Sequence, residues 1–164
     1  MTKLDLGGCE NDLRSFYNIS DNVTLYIKKM DIIQEGIKIP KIEYSIYCKL
    51  NGSNLIRLNL SVCEKSKISL SIPIVLSEDI DKLNKSSNYY NNICYTTKSD
   101  SGTDIILKDR KKEFIEGNKT ICQEDCDFTN YNYAILKAEC TCKVKESSSS
   151  FLDIYINTTE LSHF

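Results

Sequence analysis

Ile56-Arg57-Leu58-Asn59-Leu60-Ser61-Val62 and, after a break at Glu64-Lys65-Ser66, Lys67-Ile68-Ser69-Leu70-Ser71-Ile72-Pro73-Ile74 form the stretch that decides the fold. Successive side chains of an extended chain point to opposite faces, so strict alternation of apolar and polar residues predicts strands with one buried face. Ile56, Leu58, Leu60 and Val62 share one face of the first run, and Ile68, Leu70, Ile72 and Ile74 one face of the second. Pro73 has no N–H to give a ladder, so the second strand is expected at an edge or to end there.

The same period runs upstream. Val23, Leu25 and Ile27 alternate with Thr24, Tyr26 and Lys28, and Ile42, Tyr44, Ile46 and Cys48 alternate with Lys41, Glu43, Ser45 and Tyr47. Asn51-Gly52 is a hairpin signal, so an antiparallel meander is expected from residues 23 to 75. Residues 77 to 104, rich in Ser, Asn, Asp and Tyr, read as a long connection pinned by a disulfide. Leu107, Lys111, Phe114 and Ile115 ahead of Gly117 predict one short helix, with Lys108 to Glu113 as its solvated face. Leu136, Ala138, Cys140, Cys142 and Val144 mark a further strand, Ser147 to Ser150 break it, and Phe151 to Ile156 resume the extended chain. The expectation is a mainly β, antiparallel, β-sandwich-like fold with one short helix, stapled by disulfides. It divides into an N-terminal meander lobe, 1–76, and a C-terminal cysteine-rich lobe, 77–164, or forms one continuous domain. No internal repeat is present.

Eight cysteines, Cys9, Cys48, Cys63, Cys94, Cys122, Cys126, Cys140 and Cys142, are spread through 164 residues. An even, dispersed set points to disulfides made in an oxidising compartment. The late cluster has three residues between its first pair and one between its second, which does not match the paired two-residue spacing of zinc knuckles. Glu124, Asp125 and Asp127 around Cys122 and Cys126 would raise a thiol pKa rather than activate it, and the twelve-residue calcium loop with its central glycine is absent. Cys140 and Cys142 lie on one strand face, so each can bond a different partner. Four disulfides are expected: two among Cys122, Cys126, Cys140 and Cys142, and two among Cys9, Cys48, Cys63 and Cys94. No metal or other cofactor is expected.

Seven of the fourteen asparagines, Asn18, Asn22, Asn51, Asn59, Asn84, Asn118 and Asn157, open an Asn-X-Ser/Thr triplet. The content of Ser and Thr gives about 2.4 such triplets by chance, so the excess supports N-glycosylation in a secretory route. Asn51 in a turn and Asn118 just past the helix are the best-placed acceptors, whereas Asn59 lies on the polar face of a strand. The net charge of -2 and pI near 5.5 offer no general attraction to nucleic acid. No run reaches the roughly 18 apolar residues of a membrane span, and Met1-Thr2-Lys3-Leu4-Asp5 lacks the apolar core of a signal peptide. An extracellular or lumenal location with the signal and any membrane anchor outside this segment reconciles these features.

Little in the sequence points to catalysis. Asp100-Ser101-Gly102 matches the aspartic-protease triplet, but a second copy and the apolar strand before it are both missing, so it reads as a turn. His163 is the single histidine and lies one residue from the end. Phosphate-binding glycine loops are absent. Ten tyrosines, among them Tyr89-Tyr90 and Tyr131 with Tyr133, suit half-buried strand positions or a contact surface.

Lys41-Ile42-Glu43-Tyr44, Lys49-Leu50-Asn51-Gly52, Leu58-Asn59-Leu60-Ser61-Val62-Cys63, Asp104 to Phe114 and Cys122-Gln123-Glu124-Asp125-Cys126 together resemble a membrane-proximal cysteine-rich ectodomain of large surface proteins of protists and related AT-rich genomes. The resemblance implies a transmembrane helix soon after the part matching residues 151 to 164, and supplies no binding or catalytic residue. The expected function is a non-catalytic structural or adhesive module of a cell-surface glycoprotein, whose partners are other copies of itself, a surface protein or a glycan. A receptor-type ectodomain with a protein or glycan ligand is the alternative, and a carboxylate-based hydrolase a more distant one.

Overall fold

A computed structural model describes residues 1–35, 39–50, 52, 54–117, 119–153 and the backbone of 162–163. The chain is mainly β, with two four-stranded antiparallel sheets and few helices. Its strands are β1 (Lys3–Asp5), β2 (Leu25–Ile32), β3 (Lys41–Lys49), β4 (Leu55–Arg57), β5 (Lys67–Pro73), β6 (Cys126–Asn132), β7 (Lys137–Lys143) and β8 (Ser162–His163). Helices are α1 (Gly8–Tyr17), α2 (Ile80–Leu83), α3 (Asn88–Asn91), α4 (Leu107–Glu116) and α5 (Ser149–Leu152), with a 3-10 turn at Leu60–Cys63.

One sheet runs β1-β5-β7-β6 and the other β4-β3-β2-β8. The meander therefore covers only β2, β3 and β4, and β5 joins the other sheet, between β1 and β7. Each sheet draws strands from both sides of residue 76, so a boundary there does not separate them. The apolar faces of both sheets feed one buried cluster: Leu25, Ile27, Ile42, Ile46 and Cys48 from the second, Ile68, Leu70, Ile72, Cys140 and Cys142 from the first. The alternation read in β5 and β7 is observed at Ile68, Leu70, Ile72, Ala138, Cys140 and Cys142, all buried, but Leu136, read on the same face, lies in the turn before β7 at φ +51° and is 47% exposed. β5 ends at Pro73, beyond the reach of β1, which pairs only with Ser69 to Ser71.

The run at 56 to 62 departs from the expected strand. Pairing with β3 stops at Arg57, where Asn59 turns the chain by accepting a hydrogen bond from the Ser61 N–H at 2.9 Å. Leu58, Leu60 and Cys63 still point inward, because a 3-10 turn can bury the same residues as a strand when a disulfide and a cap fix its ends.

Helix α1 has no counterpart in the period-two reading. Gly7, at φ +52°, makes the turn into it, and a Cβ there would meet the Lys67 carbonyl oxygen at 3.3 Å. Cys9 and Leu13, four residues apart, form its buried stripe, Glu10 and Arg14 pair at 2.8 Å on its outer side, and Asn18 ends it in the left-handed region.

The segment after β7 covers the second face of β2 and β3. Ser147 Oγ donates to the Tyr44 carbonyl, the Ser148 N–H to Glu43 Oε2 at 3.0 Å, and Lys28 Nζ to the Phe151 carbonyl while lying 4.3 Å from the Phe151 ring centroid. This strap explains why Lys28, Glu43 and Ser45, read as polar-face residues, are buried. Phe151 belongs to the one-turn helix α5 rather than to a resumed strand. Residues 154–156, the rest of that expected strand, lie outside the described residues.

Candidate functional site

Six cysteines form three disulfides, Cys9–Cys63, Cys122–Cys140 and Cys126–Cys142. The separation of early and late sets holds, and Cys140 and Cys142 each take a different partner, as their shared strand face requires. The expected fourth bond is absent: Cys48 is buried in β3 between Leu25 and Ile56, and Cys94 is exposed on the connection after α3. A thiol in the core of one sheet and a thiol on the surface cannot meet. Burial pushes the Cys48 thiol pKa up, against the pull of the Arg14 charge. The three disulfides indicate an oxidising, extracellular or lumenal environment.

The connection at 77 to 104 is consequently held by something other than a disulfide. Arg110, expected on the solvated face of α4, is 1% exposed. It donates to the carbonyls of Tyr89 at 2.6 Å and Asn92 at 3.1 Å, and lies 5.6 Å from the ring centroids of Tyr89 and Tyr95. Its Nε has no partner among the described residues. Tyr89 donates to Glu113 at 2.7 Å, Tyr90 to the Lys82 carbonyl, and the rings of Tyr89, Tyr90, Tyr95 and Phe114 meet edge to face. Burial, then the charges of Glu113 and Glu78, raise the Tyr90 pKa to about 12. The tyrosine pair at 89 and 90 is thus a buried joint between α3 and α4 rather than an open contact surface.

That joint leaves a cleft of about 490 Å³ lined by Lys85, Tyr90, Asn91, Lys111, Phe114, Ile115 and Thr120. Lys111, Phe114 and Ile115 share one helical face by their spacing of three and four residues. Asn91 spends its amide N–H groups on the carbonyls of Lys85 and Ser87, both at 2.9 Å.

Among the acceptor asparagines, Asn18, Asn22 and Asn59 are exposed and Asn84 is half-buried. The first three gather at the end of α1: Asn18 caps that helix, the Asn59 N–H donates to Tyr17 Oη at 2.9 Å, and Arg14 holds the carbonyls of Ser20 and Val23 on either side of Asn22. Asn59 lies outside any strand, so the ladder does not obstruct it. Asn51, Asn118 and Asn157 lie outside the described residues.

Of the acids around Cys122 and Cys126, Glu124 and Asp125 are exposed in the turn that leads into β6, Asp127 is the second residue of that strand, and Lys145 pairs with Asp125. Asp100-Ser101-Gly102 sits in a turn closed by the Lys98 and Asp104 bridge, with Gly102 at φ +82°. His163 falls in β8, opposite Tyr26. At the opposite end of sheet β1-β5-β7-β6, Tyr133, Ile135 and Leu136 of the β6–β7 turn are 66%, 54% and 47% exposed. Val75, 77% exposed, follows Ile74, whose N–H bonds the Leu136 carbonyl. Among the described residues no helix is long and apolar enough to cross a membrane, and no three His, Cys, Asp or Glu side chains gather as a metal site.

Compared with known protein families, curated proteins and solved structures, the chain matches none of them.

Proposed function

We propose that this chain is a non-catalytic structural or adhesive module, sandwich-like in architecture, of an N-glycosylated and membrane-anchored surface protein. The observation that carries the reading is the pairing of three disulfides with three exposed acceptor asparagines, Asn18, Asn22 and Asn59, gathered at one end of α1. Sugar at that end would shield it, while the apolar tip at Tyr133, Ile135 and Leu136 is free of acceptor triplets among the described residues and suits the adhesive role. The membrane-proximal position rests on the ectodomain resemblance of the sequence.

Secretion from a eukaryotic host followed by glycopeptide and disulfide mapping tests this. Glycan is expected at Asn59 and at one or both of Asn18 and Asn22. Secreted protein with all three unmodified, or with the six paired cysteines reduced, would overturn the reading. Replacing Tyr133, Ile135 and Leu136 by serine should abolish attachment to cells or self-association; attachment unchanged by that triple substitution removes the adhesive half.

A further inference from the structure

We propose that the cleft between α3 and α4 binds a small anionic amphiphile, an apolar or aromatic body carrying one carboxylate or sulfonate. Size, wall chemistry and charge each support this assignment, and it stands independently of the surface-module reading.

At about 490 Å³ the cleft lies within the range of small-molecule sites. Its apolar wall is the half-buried ring of Phe114 and the side chain of Ile115, which is 80% exposed, with the buried Tyr90 ring behind them. An isoleucine left open to water next to rings is surface that a ligand body can cover. The polar groups are few and of one sign. Lys85 and Lys111 line the cleft, and neither has a carboxylate partner among the described residues. The acids nearby are engaged elsewhere: Glu113 accepts from Tyr89, Glu116 pairs with Lys112, and Glu78 with Lys119. No acid lines the cleft itself, so an anion entering it meets the two ammonium groups directly, although the charges of Glu113 and Glu78 reach Tyr90.

The hydrogen-bonding capacity argues against a sugar. Tyr90 Oη is spent on the Lys82 carbonyl and the Asn91 amide N–H groups on Lys85 and Ser87. That leaves the two lysines, the Thr120 hydroxyl and one amide oxygen. A polyhydroxyl ligand would bring more donors and acceptors than this cleft can satisfy, whereas an apolar body with a single charged end matches it. Arg110 fixes the geometry from below by bonding the Tyr89 and Asn92 carbonyls, which brace α3 on both sides of Tyr90.

The test titrates the whole chain with two fluorescent dyes of nearly the same body, 8-anilinonaphthalene-1-sulfonate and the uncharged N-phenyl-1-naphthylamine. The parent chain should bind one sulfonate dye per molecule and bind it at least tenfold more tightly than the neutral dye, with the difference shrinking as salt is raised. Lys85 and Lys111 are exposed, so Lys85→Gln with Lys111→Gln should fold as the parent does, and the Asn84-X-Ser86 triplet is kept. That double variant should lose about tenfold in sulfonate affinity and less than twofold for the neutral dye, while Ile115→Glu should weaken both. A parent chain that binds neither dye, or both equally, overturns the assignment, as does a double variant that binds the sulfonate like the parent or loses both dyes equally.

Discussion

Removing the Cys9–Cys63 bond should cost more stability than removing Cys122–Cys140, although both are buried and both touch the same core. Cys9 and Cys63 are 54 residues apart in sequence, and closing a loop of that length takes about 4 kcal/mol of chain entropy from the unfolded state. Cys122 and Cys140 are separated by 18, worth about 3 kcal/mol on the same scale if they acted alone. They do not act alone, because Cys126–Cys142 closes an overlapping loop of 16. With that bond intact, the route from Cys122 to Cys140 shortens to roughly eight residues, and the loss falls to about 2.5 kcal/mol. Alanine at all four positions keeps the comparison fair, since each replacement deletes a sulfur from the same apolar cluster and leaves no buried hydroxyl. At a urea slope of about 2 kcal/mol per molar, the midpoint should drop by about 2 M for Cys9→Ala with Cys63→Ala and by about 1.3 M for Cys122→Ala with Cys140→Ala. Urea unfolding followed by tyrosine fluorescence measures both. A larger drop for the Cys122 and Cys140 pair would refute the loop argument and show that native-state packing in β7, not the unfolded chain, sets the value of these bonds.

Tyr44 and Tyr90 are buried and their pKa values are raised to about 12. The folded state therefore holds their protons more tightly than the unfolded state does, so the stability is fully present below pH 10 and is lost as pH climbs from 10 through 12, by about 2 to 3 kcal/mol for each. Urea midpoints at pH 8, 10 and 11.5 should show this fall, and Tyr90→Phe should lessen it; an equal fall in that variant refutes the assignment. Arg110→Met removes the guanidinium donor from the buried Tyr89 carbonyl and leaves the Asn92 carbonyl with the Tyr95 N–H alone, and should cost about 2 to 4 kcal/mol, whereas exposed Lys112→Ala should be within about 0.5 kcal/mol of neutral; calorimetric melts compare them. A maleimide should label one thiol, Cys94, within minutes in the native chain and a second, Cys48, only after unfolding, as intact mass would show; two fast labels would place Cys48 outside the core.

How much of the fold could be read in advance follows from where hydrogen bonding and side-chain period coincide. β3, β5 and β7 are regular over their whole length, so alternation marked them and the apolar faces they bury. β6 was hidden because a bulge between Phe128 and Asn130 shifts its register against β7. Cys126 and Phe128 face inward on one parity and Tyr131 on the other, which erases the period that a sequence reading depends on. At Leu58 and Leu60 the opposite happened: the period persisted while the backbone left the sheet. Helix α1 had a signal, Cys9 and Leu13 four apart with Glu10 and Arg14 outside them, but ten residues with two apolar anchors are too few to stand out from a loop.

The cleft wall was illegible for a different reason, which bears on what the chain can do. Lys108 to Glu113 is a run of six charged residues, and every general expectation places such a run in water. One of them, Arg110, is drawn inside because its planar fork reaches the Tyr89 carbonyl and shares the Asn92 carbonyl with the Tyr95 N–H, while aromatic faces receive the rest of the guanidinium. Once Arg110 faces in, Phe114, four residues on, packs beside it against Tyr90, while Lys111 and Ile115, three residues before and one after Phe114, take the adjoining side, so that a charge and two apolar groups border one surface above the tyrosine joint. The choice of arginine at this one position therefore both replaces the disulfide expected to pin the connection and creates the apolar cleft with two lysines beside it.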